Sequence, residues 1–468
     1  MIEVATIDAW LRATTESNGL EFKEAKRQFD NRKLFEYCVA IANEGGGHLV
    51  LGVSDKKPRT VVGTSAIDNP VGMQDKIFQK LGIRVDVEEV KHPGGRVVVL
   101  VIPSRPRGTA YHIEGKYLMR SGDSLVPMSE DRLRAIFLEG GPDWLDEPAM
   151  AAVDAEGVVD LLDTQAYFEL LHLPYPATRD GVIDRLSHER LITRKGAQFV
   201  ISRLAALLMA KRLDRFPDVE RKAPRVVVYK GRSKLETRLD QVGRKGYAVG
   251  FQGFVGFVMD QLPQNEVIVD ALRKEVKLAP EVVVRELVAN ALIHQDFTVG
   301  GTSVMVEVYG DRIVFSNPGE PVVPVERFID GYRSRNEKLA DVMRRLGICE
   351  EKSSGIDRVV RAAEDYQLPA PDFFAGHLRT MVTVFGPKPF ERMNKNDRIR
   401  ACYQHCVLKW VMSERMTNRS LRDRFHLPKG KSAVASQVIA ATLDAGLIKP
   451  DDAVGGSRKF ARYVPIWA

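Results

Sequence analysis

Hydrophobic positions along this chain change period several times, and each change marks an element. In NRKLFEYCVAIAN the residues Leu34, Tyr37, Cys38 and Ile41 recur at helical spacing, and the glycines of GGG end the helix. HLVLGVSD then reads as a buried strand. GMQDKIFQKLG predicts a second helix, and VDVEEV and RVVVLVIP, parted by KHPGG, predict a hairpin. PDWLDEPAMAAVDAEGVVD reads as a linker running into a small helical segment. A helical pattern follows from Thr164 to about Leu213, interrupted by a turn-and-hairpin stretch at ERLITRKGAQFVIS. In APEVVVRELVANALIHQDF, Val283, Leu287 and Ala291 can pack inward while Glu286, Asn290 and His294 share another helical face. TSVMVEVYGDRIVFSNPGE alternates Val304, Val306 and Val308 with Ile313 and Phe315 around a Gly310-Asp311 turn, which predicts a hairpin. From about Asn394 the order is helix, helix, turn, helix and hairpin, with Leu421 and Phe425 inward on one helix and Val434, Val438, Ile439 and Leu443 on the next.

These patterns predict an α+β multidomain chain, and 468 residues exceed what one ordinary core organises. No apolar run reaches membrane-span length, and MIEVATIDAW carries acids where a signal peptide would be basic, so a cytoplasmic protein without a membrane partner is expected. The four cysteines are scattered; Cys402 and Cys406 flank His405 without a second ligand pair and make a poor zinc site. Charge changes the picture more. The net charge is +7, and residues 391–468 hold 15 Lys and Arg against 7 Asp and Glu, whereas the preceding residues hold 54 against 55. A basic surplus confined to one small segment suggests a polyanionic partner, RNA or DNA, or else a solvated basic face.

Candidate chemistry lies at three places. Glu16, Glu21 and Lys23 precede the first helix, and Asp55 closes the strand that follows it. Converging, the carboxylates would hold Mg²⁺ or Mn²⁺ for phosphodiester cleavage, and Lys23 would offset charge on the oxyanion. The same residues also read as the charged face of a half-buried strand, and Arg120 near a glycine turn either reaches a phosphate or pairs with an acidic neighbour. Next, Glu286 one turn before Asn290 is the spacing that orients a water toward a γ-phosphate while the amide ligates Mg²⁺, and Ser354-Gly355 before a helix offers backbone N–H groups to phosphates. No G-x-x-x-x-G-K-[ST] exists, since Phe425 stands where the leading glycine of GKS at Gly430 belongs, so a P-loop motor is excluded. Finally, the C-terminal pattern matches a winged helix, with Lys431 and Ser432 opening its recognition helix and Arg458, Lys459 and Arg462 on its wing.

ESNGLEFKEA, IANEGGGHLVLGVSD and KYLMRSGDS together resemble the Schlafen/AlbA-type nucleic-acid-binding domain. RELVANALIHQDF with IVFSNPGE and KSSGIDRV is similar to the GHKL-like ATP-binding domain that often follows it, also labelled RecG-like helicase C-terminal. The resemblance implies a Schlafen/AlbA-like α+β domain at 1–140, a helical connecting region at 141–225, a GHKL-like α/β sandwich at 226–390 and the winged helix at 391–468. It implies that Glu16, Glu21 and Asp55 occupy a metal-dependent ribonuclease site, with a tRNA-like substrate and a role in phage defence. It also implies ATP at Glu286, Asn290, Asn317, Gly319, Ser354 and Gly355, Asn290 ligating the metal. Ser316-Asn317-Pro318-Gly319 replaces the aspartate-glycine box that normally reads adenine, and Asn317 lacks the acceptor pair of a carboxylate. The expected function is a nucleic-acid-binding metal-dependent ribonuclease gated by ATP; the alternative is an ATP-responsive DNA-binding regulator without nuclease activity. A homo-oligomer is expected, because such domains often pair.

Overall fold

The computed structural model describes residues 2–12, 19–55, 58–121, 124–138, 140–141, 143–269, 272–331, 333–349, 355–451 and 461–468. The chain divides into two compact units, Met1–Asp143 and Trp144–Ala468.

The first unit runs α1 (Val4–Arg12), β1 (Leu20–Lys23), α2 (Asn31–Asn43), β2 (Gly47–Leu51), α3 (Pro70–Leu81), β3 (Asp86–His92), β4 (Gly95–Ile102), β5 (Leu118–Ser121), β6 (Ser124–Pro127) and α4 (Glu130–Leu138). A four-stranded sheet has the order β1-β2-β4-β3, with β1 parallel to β2 and the other pairs antiparallel. Its strands are covered on both faces, which is why β2 and β4 read as continuous apolar runs. Leu49, Leu51, Val98 and Leu100 pack with Leu34, Cys38, Ile41 and Ile77 of α2 and α3. Phe22, Val50, Val97 and Val99 pack with Ile7 and Trp10 of α1. Asp30 caps α2 by accepting from the Lys33 N–H at 2.8 Å. The glycines after α2 are a steric requirement. Gly46 has φ +85°, and a Cβ there would lie 2.6 Å from Ser104 N; one on Gly47 would lie 2.0 Å from Gly19 O. That close approach seats β1 beside β2.

The second unit opens with β7 (Pro148–Val153), α5 (Ala155–Leu161), α6 (Thr164–Leu170), α7 (Arg179–His188), β8 (Ile192–Lys195), β9 (Gln198–Ser202), α8 (Arg203–Met209) and α9 (Pro217–Glu220). The stretch expected to be a linker instead supplies β7, which pairs with β9 in a three-stranded sheet of order β7-β9-β8. Then come β10 (Arg225–Tyr229), β11 (Thr237–Val242), α10 (Phe251–Gln261), β12 (Gln264–Val269), β13 (Leu272–Lys277), α11 (Glu281–His294), β14 (Met305–Val308), β15 (Arg312–Pro318), α12 (Glu337–Arg345), α13 (Gly355–Asp365), β16 (Asp372–Gly376) and β17 (Arg379–Phe385). Six of these strands form one sheet, β11-β10-β14-β15-β17-β16, in which only β10 and β14 are parallel. Val226, Val228, Val306, Val308, Ile313, Phe315 and Val384 share one core with Val283, Leu287 and Leu292 of α11 and Val359 and Ala363 of α13. One sheet backed by one helical layer is the expected sandwich.

The chain ends with α14 (Lys395–Val411), α15 (Asn418–Arg424), α16 (Ser432–Asp444) and the antiparallel pair β18 (Ile448–Pro450) and β19 (Tyr463–Pro465). Reciprocal capping boxes, Asn394 with Asp397 and Thr417 with Ser420, start α14 and α15. Ala401, Cys402, Cys406, Leu421, Phe425, Val438 and Ile439 form the core of this segment. All four cysteines are free thiols. Among the described residues no helix is long and apolar enough to cross a membrane.

Candidate functional site

In the first unit, β1 sets Glu21 and Lys23 on the same face, two residues apart. Glu21 is 1% exposed. Its Oε1 lies 2.6 Å from Lys23 Nζ, and its Oε2 accepts from Arg120 Nη2, brought in by β5. Arg120 also donates to the Leu20 carbonyl at 3.2 Å. Burial works to lower the Lys23 pKa, but the contact with Glu21 outweighs it and the ammonium is held charged above its ordinary range. Lys23 Nζ sits 5.2 Å from the Tyr37 ring centroid. Asp55 is exposed, and its Oδ1 accepts from the Glu24 N–H at 3.0 Å. Glu16 lies outside the described residues.

At the described residues the β1 carboxylate is paired with cations and not open to solvent. Both oxygens of Glu21 are engaged by cations, and Asp55 serves the backbone beyond β1. No group of three or more His, Cys, Asp or Glu suited to a metal ion forms among the described residues. Arg120 is not a surface phosphate contact, because its side chain is only 2% exposed against Glu21. Lys23 likewise answers to Glu21 before any oxyanion.

The second unit holds a cavity of about 170 Å³ between α11, the ends of β15 and β17, the segment after β15 and the start of α13. Val283, Leu287 and Leu292 fix α11 to the core, so Glu286, Asn290 and His294 line the cavity. Asn336 Nδ2 donates to the Ile293 and Gln295 carbonyls at 2.7 and 2.8 Å, satisfying groups at the C-terminal end of α11. Glu286 is buried and faces Arg358 Nη1 at 3.4 Å. Asn290 Nδ2 is buried without a hydrogen-bond partner among the described residues. Gly355 opens α13 so tightly over these two that a Cβ would come 3.0 Å from Glu286 Oε2 and 3.3 Å from Asn290 Nδ2. Burial, with Arg335 nearby, pulls the His294 pKa down to about 4 and keeps its imidazole neutral.

Asn317 reaches the same cavity from β15. Its Nδ2 donates to the Pro318 carbonyl at 3.1 Å, which leaves Oδ1 to accept from a ligand. The structure thus brings Glu286, Asn290, Asn317 and Gly355 to one cavity. Gly319 stands apart from it: its φ is +95°, and a Cβ would lie 2.6 Å from Asp296 Cβ, so it serves close packing against the Asp296–Arg335 ion pair. Ser354 lies outside the described residues. Phe315, Arg344 and Thr380 are also among the lining residues and were missed, since each sits on an element whose apolar period gives no sign of a ligand.

At the C-terminal segment Lys431 and Arg462 are exposed, as are Arg419 and Lys429. Ser432 is exposed too, but its hydroxyl lies 3.3 Å from Asn418 Oδ1, and Asn418 Nδ2 donates to the Ser432 carbonyl and to Ser436 Oγ at 3.0 and 2.9 Å. It therefore ties α16 to α15. Arg458 and Lys459 fall outside the described residues.

Residues 16–129 match the family described as Schlafen, AlbA_2. Residues 301–384 match the family described as Putative ATP-dependent DNA helicase recG C-terminal. The chain carries a Schlafen/AlbA_2 domain and a RecG-like C-terminal domain. The Schlafen/AlbA_2 match spans Glu21, Asp55 and Arg120; the RecG-like match spans Asn317, Gly355 and Thr380, with α11 immediately before it. Among solved structures, the DIP2311 protein from Corynebacterium diphtheriae is similar at 17% identity and TM-score 0.43, covering 99% of this chain and 96% of that one. The N-terminal domain of a putative ATP-dependent DNA helicase RecG-related protein from Nitrosomonas europaea is similar at 18% identity and TM-score 0.21, covering 28% of this chain and 94% of that one. No curated protein matches the chain significantly.

Proposed function

We propose that this chain is a nucleic-acid-binding protein whose RecG-like domain binds ATP and which responds to it, without cleavage at the β1 carboxylates. The observation that carries the reading is the convergence of Glu286, Asn290, Asn317 and Gly355 on one cavity, with the Asn290 amide nitrogen buried and unpaired among the described residues. These residues fit a nucleotide: the unpartnered Asn290 Nδ2 would donate to a phosphate oxygen, its carboxamide oxygen would be the atom able to hold Mg²⁺, and Asn317 Oδ1 would accept from an exocyclic amine of the base. A bound Mg²⁺ would neutralise charge on the phosphate oxygens. Glu286 stands where a general base would orient water, and its carboxylate faces Arg358 Nη1 at 3.4 Å. A carboxylate engaged by a guanidinium is less free to hold a water, which favours binding over rapid hydrolysis.

The two family matches support nucleic-acid binding, and the three helices and terminal strand pair of 395–465, with exposed Lys431 and Arg462, support a winged-helix contact to duplex DNA. Metal-dependent cleavage of a tRNA-like substrate by Glu16, Glu21 and Asp55 is the weaker reading, because a metal would have to displace Lys23 and Arg120 from Glu21. The two separate in one assay. Labelled tRNA and duplex DNA are incubated with the full chain in Mn²⁺ or EDTA; the proposal expects intact RNA and salt-sensitive duplex binding. RNA cleavage that needs metal and disappears in Glu21→Ala with the fold retained would overturn it.

A further inference from the structure

We propose that the C-terminal helical segment reads the occupancy of the nucleotide cavity through two struts, the segment 321–331 and helix α13, so that nucleotide binding and the state of α14 to β19 are coupled. The inference rests on the cavity being a nucleotide site, and it adds what that site regulates.

The first strut is the cavity's own wall. Pro321, Val322, Val323, Phe328 and Gly331 line the cavity. The residues between them are held by the C-terminal segment. Tyr403 on α14 donates its hydroxyl to the Glu326 carbonyl at 2.7 Å, and Trp467 Nε1 donates to that same hydroxyl at 3.2 Å. The Arg327 guanidinium lies 3.9 Å from the Trp467 ring centroid. Ile329 is buried in the same core as Cys402, Cys406 and Leu421. A wall segment with some residues against the cavity and others against a neighbouring core moves only if both surroundings allow it.

The second strut is rigid by construction. Helix α13 begins at Gly355, against Glu286 and Asn290, and Arg358 on its first turn pairs with Glu286. Nine residues on, at ~1.5 Å per residue or ~13 Å away, Glu364 meets His405 Nδ1 at 3.0 Å and Arg424 Nε at 3.3 Å. His405 Nε2 continues to Ser420 Oγ at 3.1 Å, and Arg424 Nη2 donates to the Leu368 carbonyl at 2.7 Å. Val359 and Ala363 of α13 belong to the sandwich core, whereas Val360 belongs to the C-terminal core. One helix therefore touches the nucleotide wall with its first turn and locks α14 and α15 with its last. Both links are polar, buried or half-buried and directional, so they hold one arrangement and break discretely when it changes.

Hydrogen exchange on the full chain tests this, with and without ATP and Mg²⁺, in wild type, Tyr403→Phe, Trp467→Ala and Glu364→Gln. None of these side chains lines the cavity. In wild type, ATP is expected to slow exchange by at least about fivefold, the lower end of an ordinary coupling, both at 321–331 and at 398–408 and 463–468. Each variant should keep the protection at 321–331 and lose most of that at the C-terminal peptides. Protection confined to the cavity in wild type would overturn the coupling while leaving the nucleotide site standing; no protection anywhere would remove the nucleotide reading and the coupling together. A second arm needs no nucleotide. Tyr403→Phe and Trp467→Ala should speed exchange at 321–331 in the free protein, and unchanged exchange there would show that the first strut does not exist.

Discussion

Replacing Glu21 by alanine separates an anchoring carboxylate from a catalytic one. Glu21 is buried against Arg120, whose side chain is 2% exposed, and against Lys23 at 2.6 Å. Removing the carboxylate takes a counter-charge from a guanidinium that water cannot easily reach. Breaking a buried pair by deleting one partner costs ~3–5 kcal/mol. At ~1.4 kcal/mol per tenfold, β1 should open about 10² to 4 × 10³ times more often. Glu21→Gln, which keeps shape and one acceptor, should cost less, ~1–3 kcal/mol. Deleting both charges in Glu21→Ala with Arg120→Met should recover most of the loss, because apolar replacement of a whole buried pair is often close to neutral. The assay is hydrogen exchange of peptides covering 19–24, 47–52 and 118–121 in the full chain. Exchange in Glu21→Ala within about threefold of wild type, too little for a lost buried ion pair, would refute the anchoring argument and return Glu21 to the list of available metal ligands.

Three further outcomes follow from the geometry. Gly46→Ala should destabilise the first unit by at least ~2 kcal/mol, from a positive φ together with a Cβ 2.6 Å from Ser104 N, and a lowered thermal midpoint of that unit checks it. Burial, reinforced by Asp330, raises the Asp357 carboxyl to about 6; the folded state then holds a proton that the unfolded state has released, so this contribution to stability is full below about pH 4 and is lost as pH rises through about 6. Asp357→Asn should flatten the fall in thermal stability between about pH 4 and 6, and an unaltered pH profile would reject that assignment. Lys431→Ala and Arg462→Ala should each weaken duplex DNA binding evenly across sequences and reduce the slope of log affinity against log salt by about 1, read by fluorescence anisotropy at several salt concentrations.

Locally encoded features were legible in the sequence. The Gly310-Asp311 turn with its flanking alternation is the β14–β15 pair, and the face carrying Glu286 and Asn290 does line the cavity, because helical period and core packing agree in α11. What escaped depends on partners far apart in the chain. Glu21 and Arg120 are 99 positions apart, and only the β1–β2 pairing with β5 beside it makes them a buried ion pair. The parallel pairing of β10 with β14 joins strands some 80 residues apart, and β7 looks like a linker because its pattern is weak until β9 covers it. Thr380 and Arg344 reach the cavity for the same reason, each from an element whose local pattern explains it without a ligand.

The central claim is that the RecG-like cavity is a nucleotide site built around Asn290. Calorimetric titration of the full chain with ATP and Mg²⁺, beside Asn290→Ala with its circular dichroism unchanged, tests it most directly. Saturable binding in wild type, weakened at least ~10-fold in the variant as expected for one lost charge-assisted contact, is the predicted result. Equal affinities in the two proteins, or no binding in wild type, would contradict it.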